Sequence, residues 1–114
     1  MVEAVAHSRF ARYGPRKVGQ VLGLIRRKNA QRALTALAFA PRRSSVLVIK
    51  TLESALGNLG VKLGKKVEPR EVWVTECWVN GGPFIKRIHP GSMGRAMPFK
   101  RKTCHLTIKV ADQL

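Results

Sequence analysis

The chain has 114 residues, of which 45% are hydrophobic, and its 22 lysines and arginines against six acids give a formal net charge of +16. This length predicts one domain, residues 1–114, with a modest core, and the charge indicates a polyanionic partner. No apolar run approaches the roughly 20 residues of a membrane-spanning helix. No apolar leader opens the chain, so we expect a cytoplasmic protein without a membrane partner.

The first half of the chain predicts one strand and three helices. The loosely alternating segment from Val2 to Tyr13 predicts the strand. The helices begin at Pro15, after Asn29 as N-cap, and near Arg42, and the third ends near Leu59 with Gly60 as its stop. The apolar faces are Val2, Ala4, Ala6 and Phe10 in the strand, then Val18, Val21, Leu22 and Ile25, then Ala30, Ala33, Leu34 and Leu37, then Ile49, Leu52, Ala55, Leu56 and Leu59 in the helices.

Two strong strands flank a glycine- and proline-rich stretch in the second half. The aromatic and β-branched run EVWVTECWV predicts one strand, and the alternation in KTCHLTIKV predicts the other. Their antiparallel pairing makes a long hairpin arm, residues 80–104, with its tip in HPGSMG. At ~3.3 Å per residue this arm would project on the order of 35 Å. The predicted fold is α+β, with three helices packed on a small three-stranded antiparallel sheet and a long protruding β-hairpin arm.

The distribution of charge indicates nucleic acid as the partner. Residues 4–52 and 77–111 contain no acid, and the arm alone carries six lysines and arginines. We therefore expect phosphate contacts over much of the surface. On the residues alone, two alternatives stay open: a DNA-bending architectural protein that uses a basic β-arm, and a free RNA-binding regulator or chaperone.

Catalysis and metal binding find little support in the sequence. Glu68, Glu71 and Glu76 are the only acids near one another, and they do not form the carboxylate cluster that metal-assisted phosphoryl chemistry requires. No enzyme is therefore expected. Cys77 and Cys104 lack a CxxC partner, and no HxxxH spacing occurs, so we expect reduced cysteines packed as small apolar residues, with no metal and no other cofactor.

The aromatic residues raise the possibility of base stacking. Trp73 and Trp78 have opposite parity in their strand, which predicts one ring against the helices and one on the outer face. Phe84 and Phe99 flank the arm. They are the better stacking candidates because no protein core is expected there.

Three stretches carry a resemblance to a known family: GPRKVGQVLGLIRRK, VLVIKTLESALGNL and VWVTECWVNGGPFIKRIHPGSMGRAMPFKRKTCHLTI. They are similar to the large-subunit ribosomal protein family L twenty-two, of bacterial or organelle type, over roughly residues 5–110. The motifs PRKV, GPxxKR, PxxxGRA and KRxTxH are specific when they occur together in this order. The sequence departs from the family at Gly14, where serine is common, and at Gly91 and Met93, where arginines are expected.

The resemblance implies a structural, non-enzymatic constituent of the large ribosomal subunit that binds large-subunit ribosomal RNA and supports assembly. It also implies a hairpin that lines the nascent-peptide exit tunnel near the tip of protein L four. The partners would be that RNA, neighbouring large-subunit proteins and the passing nascent peptide, without a homo-oligomer, in a cytoplasmic or an organelle ribosome.

Charge and resemblance together give the candidate site residues. The predicted RNA-binding residues are Arg9, Arg12, Arg16, Lys17, Lys86, Arg87, Arg95, Lys100, Arg101, Lys102, Thr103 and His105. The predicted tunnel-lining tip is His89, Pro90, Gly91, Ser92, Met93 and Gly94.

Overall fold

The computed structural model of the chain describes residues 2–113, apart from the side chains of His89 and Phe99. Its elements are β1 (Glu3–Ala11), α1 (Pro15–Leu22), α2 (Ala30–Phe39), α3 (Ser45–Leu63), β2 (Trp73–Gly81), β3 (Ile85–Pro90), β4 (Ala96–Arg101) and β5 (Cys104–Ala111). The strands β1, β5 and β2 form an antiparallel sheet in that order, and β3 and β4 form a second sheet. The predicted α+β class is confirmed.

The predicted apolar stripes of the helices form most of the core. Val18, Leu22, Ile25, Leu37, Leu52 and Leu59 are buried. Leu34, Ile49 and Leu56, which were predicted in the same stripes, are only partly buried. The alternate residues of β5 that were predicted to share one face do point into the core. Cys104, Leu106, Ile108 and Val110 are all 0% exposed. The core therefore lies between the three helices and one face of the three-stranded sheet.

The third helix begins and ends later than predicted, at Ser45 instead of near Arg42 and at Leu63 instead of near Leu59. It continues past Gly60 to Leu63 and stops at Gly64, which has a φ of 71° and donates its N–H to the carbonyls of Gly60 and Val61. The prediction that Gly60 ends the helix was wrong. A glycine is tolerated inside a helix, whereas the left-handed residue that ends one must adopt a positive φ, and here Gly64 does so.

Both outer edges of the three-stranded sheet are partly covered. On β1, Asn58 Nδ2 donates to the Val5 carbonyl at 2.9 Å and Lys62 Nζ to the Glu3 carbonyl at 2.6 Å. On β2, the Val74 N–H donates to the Lys28 carbonyl at 2.9 Å in the α1–α2 connection. Capped edges resist pairing with further strands, so the exposed feature of this sheet is its outer face, opposite the helices.

A β-bulge in β2 changes which side chains reach that outer face. The register shifts between Val74 and Glu76, so Val74 and Cys77 are both buried despite their odd spacing. Trp78 consequently lies on the outer face and is 38% exposed, while Trp73 is half-buried beside α2. The predicted division of the two tryptophans, one ring against the helices and one on the outer face, is therefore found, with Trp73 beside α2 and Trp78 outside.

A second irregularity overturns one assignment in β1. The register shifts between Ser8 and Ala11, and Phe10, expected on the core side with Ala4 and Ala6, is instead 63% exposed with a φ of 55°.

The arm is divided into two parts rather than being one continuous ladder. Pairing of β2 with β5 ends at Gly81 and Cys104, and pairing of β3 with β4 begins at Ile85 and Arg101. We call the second part, residues 85–101, the distal sheet, and residues 2–79 and 105–113 the body. A compact chain of this length has a radius of gyration of about 13 Å, whereas the observed value is 17.0 Å, with extents of 61 × 25 × 18 Å. An elongated shape is expected when such a sheet extends away from the body.

Candidate nucleic-acid interface

The distal sheet carries cations on both of its faces. Residues paired across an antiparallel ladder share a face, and the faces alternate along each strand. Lys86 is paired with Lys100 on one face, and Arg87 lies on the other face, as does Arg101 two pairs away from it. Two like charges directly opposite each other destabilise a strand pair. The pairing is therefore better suited to a sheet with a polyanion on each side than to one that stands in water.

The distal sheet also exposes apolar side chains. Ile88 is 72% exposed and Met97 is 60% exposed. Towards the tip, Ile88 and Pro90 share one face with their partners Pro98 and Ala96. The part of the arm near the body is charged and the part near the tip is apolar, which indicates that the two parts contact different partner groups.

The tip is a tight turn in which Gly91 is closely packed. The Gly91 N–H donates to the Arg95 carbonyl, and a Cβ added at Gly91 would lie 2.9 Å from Cγ of Met97. The turn then passes through Met93, which has a φ of 59° and is 99% exposed, and Gly94, with a φ of 74°. The side chain of His89, the remaining member of the predicted tip, lies outside the described residues.

The clearest anion site is a cleft of about 430 Å³ at the start of α3. No acid lines it, and its cations come from four separate parts of the chain: Arg12, Lys17, Arg42, Arg43 and Arg101. Ser44 is the N-cap of α3 but its side chain makes no cap hydrogen bond. A helix N-terminus attracts anions and disfavours cations, so arginines gathered at this end indicate an external phosphate.

Arg42 and Arg43 were missing from the predicted site. The signal that would have found them is the RR pair directly before a predicted helix, where the helix dipole makes cations unfavourable without an anionic partner.

A second basic cleft, of about 390 Å³, joins the first to the base of the arm, because Arg12 and Arg101 line both. Arg87 and Lys102 also line it. Thr103 lies here, but only 7% of it is exposed and its hydroxyl donates to the Pro83 carbonyl. The Thr103 hydroxyl thus helps to hold the base of the arm, and its role as an RNA contact stays a prediction. Arg16 and Arg95 are exposed but line neither cleft.

The predicted residues Arg9 and His105 lie on the outer face of the three-stranded sheet, beside Phe10 and Trp78. His105 is partly committed within the protein, because its Nδ1 accepts the Phe10 N–H at 3.1 Å. Its ring also meets the Phe10 ring edge-to-face, with 4.8 Å between the centroids.

Of the two stacking candidates on the arm, Phe84 is 48% exposed and has Lys100 Nζ 4.6 Å from its ring centroid. That cation–π contact occupies one face of the ring. The side chain of Phe99, the other candidate, lies outside the described residues.

Three of the six acids, Glu3, Glu76 and Asp112, lie at the end of the sheet away from the arm. Lys109 Nζ lies 4.0 Å from Glu3 and 3.7 Å from Glu76, so Lys109 is already paired and does not add to the basic surface. Among residues 2–113, with the His89 side chain set aside, no three His, Cys, Asp or Glu side chains gather as a metal site would require. Within the same residues no helix is long and apolar enough to cross a membrane.

Both cysteines are free and buried, as predicted. Burial raises the pKa of the Cys77 thiol, and the nearby Arg26 guanidinium partly opposes this shift. Burial likewise raises the pKa of the Cys104 thiol. Neither thiol has the lowered pKa of a reactive cysteine, so both act as packing residues.

Comparison with known proteins agrees with this geometry. The model of the family described as Ribosomal protein L22p/L17e matches residues 6–111. A large ribosomal subunit protein uL22 from Endomicrobium trichonymphae is 49% identical over 111 residues, which cover 97% of this chain and 93% of that protein.

Two further relatives with the same name extend this comparison. The protein from Geobacter sulfurreducens is 41% identical over 112 residues, which cover 98% of this chain and 99% of the relative. The protein from Pelotomaculum thermopropionicum is 38% identical over 112 residues, covering 98% and 97%. This is a family of structural proteins without enzymatic activity, as predicted for the chain. The chain therefore belongs to the ribosomal protein L22p/L17e family.

Proposed function

We propose that the chain is a structural constituent of the large ribosomal subunit, and that its arm reaches between segments of ribosomal RNA. The names of its bacterial relatives support the subunit and a cytoplasmic ribosome. The observation that carries the RNA contact is the presence of cations on both faces of the distal sheet, with Lys86 opposite Lys100. Membership of a ribosomal family favours ribosomal RNA over the bent DNA of the alternative interpretation. Residues 1–114 act as one domain, with residues 80–104 as its arm.

The phosphate contacts run from the start of α3 to the arm. The two basic clefts share Arg12 and Arg101, so one RNA backbone can follow both. Lysine and arginine contacts to phosphate give affinity without sequence preference, and folded RNA is recognised by its shape. The contact residues are Arg9, Arg12, Arg16, Lys17, Arg42, Arg43, Lys86, Arg87, Arg95, Lys100, Arg101, Lys102 and His105.

The tip lines the passage for the nascent peptide, beside neighbouring large-subunit proteins. Pro90, Gly91, Ser92, Met93 and Gly94 carry no charge and present little bulk other than the Met93 side chain. A chain passing such a surface meets no fixed charge to hold it. The cations nearer the body hold the arm against RNA phosphate, while the tip makes no charged contact with RNA.

Deletion of Ser92–Gly94 tests this division of roles. We expect the deleted protein to enter large subunits at nearly the wild-type level, because the cations of the stem remain. The inhibition of translation by a tunnel-binding macrolide should change. Sedimentation reports the first quantity and an inhibition curve the second. As a matched change in the stem, K86Q/K100Q should lower incorporation.

Two results would contradict the proposal. If the deletion blocked incorporation, the tip would be an RNA anchor and not a tunnel lining. If it changed neither incorporation nor inhibition, the tip would lie away from the passage.

A further inference from the structure

The outer face of the three-stranded sheet presents aromatic rings in a defined array. Cross-strand pairing aligns His7, Thr107 and Trp78 in one row across β1, β5 and β2. In the next row towards the arm, Asn80 pairs with His105, which Phe10 contacts from β1. Trp78 and Phe10 thus lie at opposite corners of the array. Three strands spaced 4.7–4.9 Å apart make it about 10 Å wide, which is the scale of a nucleotide.

Three of the four rings, those of Phe10, His105 and His7, make contacts that hold them in place before any ligand arrives. Phe10 adopts a φ of 55°, which is unusual for a bulky residue, and its N–H bond and ring contact with His105 maintain it there. The Nδ1 atom of His7 lies 3.0 Å from the Thr107 hydroxyl oxygen. Side chains that are already ordered lose little entropy on binding. A strained, pre-ordered aromatic residue on an open face indicates a binding role more than a packing role.

The polar groups around the rings suit a nucleotide. The cleft of about 430 Å³ that contains them is lined by no acid and includes the exposed Arg9 and the amide of Asn80. An amide can both donate to and accept from the edge of a base, and an arginine can pair with the adjoining phosphate. The acids of the sheet, Glu3 and Glu76, are engaged with Lys109 at its other end.

We propose that this outer face binds an unpaired RNA segment whose bases stack on Trp78 and Phe10. Sheet-borne aromatic side chains are a recurrent platform for unstacked bases. Asn80 contacts a base edge, and Arg9 contacts the backbone phosphate. The inference rests on the proposed function in so far as the ligand is RNA. It adds a contact with unpaired bases to the phosphate contacts of the arm and the α3 cleft.

The test separates base stacking from phosphate binding. In a W73F background, Trp78 is the only fluorescent tryptophan. The probes are a hexamer of uridylate and an abasic hexamer with the same number of phosphates, at one salt concentration. We expect the uridylate hexamer to quench Trp78 and to bind about tenfold more tightly than the abasic hexamer, as a stacked base contributes. The W78A and W78F variants lack this reporter, so their affinities are read from the anisotropy of fluorescently labelled hexamers. W78A should abolish the preference, and W78F should retain most of it.

Two further variants keep the result interpretable. F10A should weaken the preference without touching Trp78, while F39A removes an aromatic residue that is 84% exposed on α2 and should leave the preference intact. Equal affinities of the two hexamers for the wild-type face, or equal losses for both in W78A, would overturn the stacking site. Neither result would bear on the proposed function, which is read separately from incorporation into large subunits.

Discussion

The adjacent strands β4 and β5 form antiparallel ladders of similar regularity but have very different surroundings. In β5, Leu106 and Ile108 are fully buried beneath the helices, whereas in β4 the Met97 side chain is 60% exposed. The difference shows that regular pairing alone does not make a strand part of the core. The body is stabilised by its own apolar contacts, and the arm displays charges and apolar groups that require a partner. Four predictions test this contrast, from the largest expected effect to the smallest.

Truncation of a core residue should separate the two regions most strongly. L52A removes a fully buried side chain of α3, and we expect it to lower the free energy of unfolding by about 2–5 kcal/mol. I88A removes an arm side chain that is 72% exposed. We expect it to change the free energy of unfolding by less than about 0.5 kcal/mol. Urea unfolding followed by far-ultraviolet circular dichroism measures both. Equal losses would mean that the arm packs on the body in solution.

The junction of the two regions should be sensitive to a single methyl group. In G82A, the new Cβ would lie 2.6 Å from the Thr103 hydroxyl oxygen and 3.2 Å from Nε2 of His105. We expect a loss of about 1–3 kcal/mol in the free energy of unfolding. G81A is the matched control, since its Cβ would meet only Cγ of Pro15, at 4.0 Å. If the two variants were equally stable, the packing of Thr103 at the base of the arm would be of no consequence.

The basic residues of the arm should govern the salt dependence of RNA binding. K100Q/K102Q removes two exposed cations, and we expect the slope of log affinity against log salt, measured on large-subunit RNA fragments, to fall by about 1–2. K65Q/K66Q removes two exposed cations after α3 and should leave the slope near the wild-type value. An unchanged slope in the arm variant would remove these residues from the RNA-binding surface.

The smallest effect concerns pH and depends on the two buried thiols. Burial raises the pKa of Cys77 and of Cys104 in the folded chain. Each thiol therefore contributes stability that is present below its unfolded pKa, about 8.5, and is lost as the pH rises through the folded pKa. Between pH 7 and 10 the free energy of unfolding should decline less steeply in C77A/C104A than in the wild type. If the free energy of unfolding declined equally in both proteins, the buried thiols would not control the loss of stability at alkaline pH.

The features predictable from sequence are those encoded locally. The stripe of Val18, Leu22 and Ile25 and the alternation along β5 follow from the periods of helix and strand, so the core and the fold class could be predicted. The bulge between Val74 and Glu76 could not, because one inserted residue leaves the composition of a strand unchanged while reversing every later side chain. Trp78 was therefore a poor candidate for base stacking from the sequence alone, and its exposure on the outer face makes it a good candidate in the structure.

The candidate site divides in the same way. Net charge and the acid-free tracts predict that the arm is basic, and the pairing of Lys86 with Lys100 follows once the hairpin register is known. The cleft at the start of α3 brings Arg12, Arg42 and Arg101 together from distant parts of the chain. Local sequence patterns cannot predict that such distant residues lie close together. Thr103 shows the converse limit: the family motif marks it, but only the structure shows that its hydroxyl donates to the Pro83 carbonyl within the protein.

The acids at the far end of the body have a kinetic consequence. Glu3, Glu76 and Asp112 lie where β1, β2 and β5 meet, at the end of the sheet opposite the arm. These acids lie beside Lys62 and Lys109, whereas the arm carries six cations and no acid, so the charge distribution forms a dipole with its positive end at the arm. The field of a polyanion exerts a torque on such a dipole and raises the rate of encounters in the favoured orientation. The protein should therefore approach folded RNA with its arm in front, so that the arm makes contact with the RNA before the body does.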